Sequence, residues 1–115
     1  KTAALITSSL KLGAMSAGAT DKKVQHLEEF GQCTGLAFQV IDDILDVTQS
    51  SKTLGKSAGK DEAVNKATYP AIHGLDKSRR LAEKLTKQAI NALKPFKSKG
   101  KRLEELANYL LDREY

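Results

Sequence analysis

An all-α fold is what this sequence predicts, and three observations carry the prediction. Apolar residues recur at intervals of three and four, no segment alternates in the two-residue period of a strand, and the stretch from Thr20 to Thr48 keeps the helical period throughout. Composition agrees: 40% apolar and 29% charged residues, two prolines and no tryptophan suit a packed helical domain rather than a disordered tail. At 115 residues the chain holds at most one domain. It contains no internal repeat.

Residues 1–18 read as a first helix. They are rich in Ala, Ser and Gly, with Leu5, Ile6, Leu10, Leu12 and Met15 as apolar positions, which permits close helix packing and invites kinks at Gly13 and Gly18. A break falls before Thr20, and Thr20 or Asp21 caps the second helix, with Asp21 near its positive end. Val24, Leu27, Phe30 and Cys33 carry the period onward, and His26 reads as a surface residue.

The second half of that helix carries the chemistry. At about 100° per residue, Gln39, Asp42, Asp43 and Asp46 fall within about 100° of arc, and Gly31, Gln32 and Gly35 extend the stripe upward. Leu36, Ala37, Phe38, Val40, Ile41, Ile44, Leu45 and Val47 cover the rest, so the helix is expected to be buried nearly all round, with the glycines making room on the acidic face. Three carboxylates within two turns repel one another, and no Lys or Arg stands three or four residues away. Mg²⁺ suits such a set, because it takes one or two carboxylates together with substrate phosphate oxygens. The stripe therefore predicts a metal and diphosphate cavity rather than a solvated acidic face.

The helix is expected to end near Thr48, since residues 48–60 have loop chemistry with three lysines and two glycines. Gly55-Lys56-Ser57 is not the phosphate loop of an NTPase: Ser50 stands where that motif needs its first glycine, and a helix precedes it instead of a strand. A basic flap leaving the acidic helix is the reading that remains. Residues 61–67 can form a short helix, Thr68-Tyr69-Pro70 opens another, and Gly74 ends it, with His73 as a C-terminal cap. Asp76 caps a helix running to about Leu93 with Leu81, Leu85, Ala89 and Leu93 on one face. A last helix over residues 100–112 buries Leu103, Leu106, Ala107 and Leu110.

Other classes are excluded by what is missing or diluted. The net charge of +5 draws heavily on Lys94–Arg102, a Pro and Gly turn coated with lysine that reads as solvated rather than nucleic-acid binding. No apolar run approaches 18 residues, so no membrane span is expected, and no export signal is visible. The lone Cys33 falls on the oily side of its helix and reads as a packed thiol. A cytoplasmic location is expected, with the plastid as the alternative. The chain opens on Lys1-Thr2 without methionine or capping sequence, which predicts the tail of a longer polypeptide.

Lys1-Thr2, the run Phe38 to Asp46 (FQxxDDxxD), Gly55-Lys56, Gly59-Lys60-Asp61 and Lys66 to Pro70 stand in the order and spacing of the C-terminal half of the trans-isoprenyl diphosphate synthases. Over essentially the whole chain the sequence resembles the geranylgeranyl diphosphate synthase type. The resemblance implies an isoprenoid synthase fold in which helices surround a central cavity, usually in a homodimer, with residues 1–115 as the C-terminal part of a single domain. It implies a Mg²⁺-dependent reaction in which an allylic diphosphate ionises, the cation alkylates isopentenyl diphosphate, and loss of a proton gives geranylgeranyl or farnesyl diphosphate. Carried over by residue, Asp42 and Asp46, supported by Asp43, would hold Mg²⁺; Lys1, Lys56 and Lys66 would grip the allylic diphosphate; Thr2 and Gln39 would line the reacting end.

The resemblance also implies a limit. The family faces two aspartate-rich motifs across its cavity, and only the second stands here, so these residues alone are expected not to turn over substrate. A non-catalytic synthase subunit or interaction module is the alternative, against which the intact set of mutually repelling charges speaks. A class I terpene cyclase would carry Asn, Ser or Thr and Glu in place of this DDxxD.

Overall fold

The structure, a computed structural model, describes residues 1–53 and 68–112, with the backbone alone for residues 50–53. Lys56, Lys66, the basic flap beyond residue 53 and the expected helix over 61–67 lie outside the described residues. Five α-helices and one 3₁₀ segment make up the described part: α1 (Thr2–Ser16), α2 (Asp21–Thr53), α3 (Tyr69–His73), α4 (Leu75–Ala92), the 3₁₀ segment Lys94–Gly100, and α5 (Lys101–Leu111). No strand occurs among the described residues.

Helix α2 is the axis. At 1.5 Å per residue its 33 residues span about 50 Å, matching the 51 Å long dimension of the molecule. α1 and α4 pack along it, and α5 closes against both α2 and α4. Two apolar clusters result. One gathers Leu27, Phe30, Ala89, Ala92, Leu93 and Ala107; the other gathers Ala37, Val40, Ile41, Ile44, Ala82, Leu85 and Leu111, and Cys33 touches both.

The α1–α2 connection follows from one residue. Gly18 adopts φ +75°, its N–H donates to Met15 O at 3.1 Å, and the Ala19 N–H donates to Ala14 O at 3.0 Å. That pair of bonds is the Schellman closure, which needs a left-handed residue after the helix. α1 continues as one helix through Gly13.

Several expected boundaries and faces are corrected by the structure. α2 continues to Thr53 rather than stopping near Thr48, because the Thr48 hydroxyl donates within the helix to Ile44 O at 2.9 Å and no Gly or Pro intervenes before Gly55. α4 begins at Leu75 with Gly74 as its N-cap, and Asp76 sits in the first turn instead of capping. In α5 the core face is Ala107 and Leu111, while Leu106 is 50% exposed. Helix α2, expected to be buried nearly all round, is open along one side, with Leu36 43% and Val47 40% exposed, because α1 and α4 cover its flanks and leave the arc between them uncovered.

Candidate functional site

The site is built on the helical period of α2 and on one close crossing. A Cβ placed on Gly35 would lie 2.4 Å from Ala3 Cα, and one on Gly31 would lie 2.9 Å from Thr7 Cα. Real side chains do not fit at such distances, so the two glycines let the α1 backbone rest on α2. This corrects the expectation that they open space for a ligand: the room they make is filled by α1.

The crossing has a chemical consequence. Gly31 meets Thr7 while Gly35 meets Ala3, so α1 runs antiparallel to α2 and its start points down the acidic half of α2. Lys1 and Thr2, at the head of α1, thereby stand just beyond Gly35, toward the acidic half of α2. Lys1 is exposed and Thr2 half-buried. The head of α1 thus points toward the segment of α2 that carries Gln39 and the carboxylates.

The carboxylates divide between two directions. Asp42 and Asp46, four residues apart, share the side of α2 that Gly35 turns to α1, and Asp43, one residue from Asp42, is rotated about 100° from it. Asp42 and Asp43 are half-buried, whereas Gln39 and Asp46 are exposed, so the described residues do not enclose the stripe. Among the described residues no three His, Cys, Asp or Glu side chains converge as a ligand set. Asp43 instead takes the Tyr69 backbone N–H on its Oδ2 at 3.1 Å, a partner that spacing within α2 could not have indicated.

Neighbouring features stand apart from this chemistry. An apolar cleft of about 380 Å³, lined by Leu5, Leu10, Phe30, Thr34, Leu103 and Leu110 among others, lies on the far side of α2 and includes none of the acids. The Cys33 thiol is held above its usual range, first by burial and then by the nearby charge of Glu29, which favours its protonated form. His26 is half-buried, and the exposed His73 rests its ring on Tyr69 with centroids 4.4 Å apart.

Comparison with known proteins follows the same outline. Residues 1–110 match the family model described as polyprenyl synthetase. The chain is similar to a chloroplastic geranylgeranyl pyrophosphate synthase of Catharanthus roseus, 51% identical over 99% of this chain and 32% of that protein. It is likewise similar to the heterodimeric geranylgeranyl pyrophosphate synthase large subunit 1, chloroplastic, of Arabidopsis thaliana, 53% identical over 99% of this chain and 31% of that protein. A solved structure described as a candidate farnesyl-diphosphate synthase, from Marinomonas sp. MED121, superimposes with a TM-score of 0.80 at 39% identity, covering 97% of this chain and 36% of that one. The chain therefore spans about a third of the length of the curated relatives it matches.

Proposed function

Because the chain belongs to the polyprenyl synthetase family, we propose that it forms the second aspartate-rich wall of a trans-prenyltransferase, one that joins isopentenyl diphosphate to an allylic diphosphate and releases geranylgeranyl or farnesyl diphosphate. Residues 1–115 then make up the C-terminal part of a single synthetase domain, and a homodimer is the proposed assembly. One observation supports the reading: the close crossing at Gly31 and Gly35 runs α1 antiparallel on α2, so that its head points toward the acidic half of that helix.

The donor set fits Mg²⁺. Asp42 and Asp46 offer only hard oxygen ligands from one helical face, and one or two such carboxylates with phosphate oxygens complete the coordination this ion prefers. Asp43, beside Asp42, supports them without being counted among the ligands. When bound, the ion neutralises negative charge on a departing diphosphate. Lys1 adds a fixed positive charge at the head of α1, Lys56 and Lys66 supply two more, and together they favour ionisation of the allylic C–O bond by stabilising the leaving group. Thr2 and Gln39 present oxygen dipoles that stabilise a carbocation without attacking it. No helix among the described residues is long and apolar enough to cross a membrane. The chloroplastic naming of the relatives supports a plastid compartment over the expected cytosol.

The test is turnover by the full-length protein, supplied with allylic and isopentenyl diphosphates and Mg²⁺. Product is expected from the native enzyme, and kcat is expected to fall by about 100-fold or more in Asp42→Ala. Undiminished product from that variant contradicts the metal role.

A further inference from the structure

The first turn of α3 accounts for all of its backbone donors in an unusual way. A helix leaves its initial N–H groups without internal partners. Here Pro70 has no N–H, the Ala71 N–H donates to Thr68 Oγ1 at 3.3 Å, and the Ile72 N–H donates to Thr68 O at 3.2 Å. Only the Tyr69 N–H remains, and it is taken by Asp43 of α2 across 26 residues of sequence. Tyr69 also precedes a proline, a position that disfavours helical backbone, yet it opens the helix. An acceptor from outside the element offsets that preference. The surroundings reinforce the contact, since Thr68 and Pro70 are buried and Tyr69 packs against the cluster around Val40 and Ile44.

We propose that Asp43 is a positioning residue: its carboxylate clamps the Thr68–Pro70 turn onto α2, and the metal-holding role rests with Asp42 and Asp46. The proposal deepens the synthetase reading above and, for the effect on turnover, rests on it. Adjacent helical residues point about 100° apart, so Asp43 turns to α3 while Asp42 and Asp46 stay together beside the start of α1. The three acids of one motif thus divide between two tasks.

An uncharged acceptor separates the two tasks, because an asparagine amide oxygen can take the Tyr69 N–H but is a far poorer Mg²⁺ ligand than a carboxylate. The experiment uses the full-length protein with Asp43→Asn, Asp43→Ala and Asp42→Asn, reading amide hydrogen exchange at Tyr69 and the Mg²⁺ concentration for half-maximal turnover. Asp43→Asn is expected to keep both within about threefold of native, whereas Asp43→Ala loses about tenfold in Tyr69 protection. Asp42→Asn is expected to raise the Mg²⁺ requirement by about tenfold while leaving Tyr69 protected. An Asp43→Asn enzyme that needs as much extra Mg²⁺ as Asp42→Asn overturns the proposal, as does an Asp43→Ala protein with native protection at Tyr69. Should Asp43→Ala fail to fold, the Asn variant alone decides. Should the native protein make no prenyl product, the synthetase reading fails, and the exchange data still judge the clamp.

Discussion

Gly35 shows how a single missing side chain organises this molecule. Its Cα faces Ala3 so closely that any Cβ would collide with backbone, which a rotamer change cannot relieve. Gly35→Ala is therefore expected to destabilise the protein by at least about 2 kcal/mol in chemical denaturation. Gly13→Ala meets nothing within 4 Å in the last turn of α1 and should stabilise it by about 0.5–1 kcal/mol. At this scale helical period alone sorts Gln39 and the acids onto one arc of α2, whereas Lys1 and Thr2 enter the candidate site only through the resemblance. The role of Asp43 was not legible in the sequence, since its partner Tyr69 is joined to it only by tertiary packing. The glycines were noticed but assigned to a ligand, as sequence cannot say whether an absent Cβ makes room for a phosphate or for another helix.

Among the elements, one stop and one start differ from their sequence reading, the end of α2 and the opening of α4. The end of α1 is secured by the φ +75° of Gly18, a conformation that costs an L-residue with a Cβ about 1–2 kcal/mol. Gly18→Ala should lower stability by that amount in thermal or denaturant unfolding, whereas a null effect would mean the turn relaxes to another geometry. α2 outran its expected end because Ser and Thr suggest loop chemistry, yet the Thr48 hydroxyl finds a carbonyl within the helix. Asp76 looked like a cap, but Gly74 already ends α3 and begins α4. The expected face of α4 is the buried one, with Leu85, Ala89 and the adjoining Leu93 buried; on α5 the burial shifted from Leu106 to Leu111, a choice made by the neighbours α2 and α4 rather than by the local pattern.

For the whole molecule, fold class and family were legible because periodicity and a specific motif order agree, and the family model covers residues 1–110. Enclosure of the acidic stripe was not, since it depends on packing, and the described residues leave Gln39 and Asp46 exposed. The central claim is that α2 holds an allylic diphosphate through Mg²⁺ bound at Asp42 and Asp46. Calorimetric titration of the full-length protein with a non-ionisable allylic diphosphate analogue, with and without Mg²⁺, tests it most directly. Binding should tighten by at least about tenfold when Mg²⁺ is present, and Asp42→Ala should abolish that gain. Equal affinity with and without the ion, or an undiminished Mg²⁺ effect in Asp42→Ala, would contradict it.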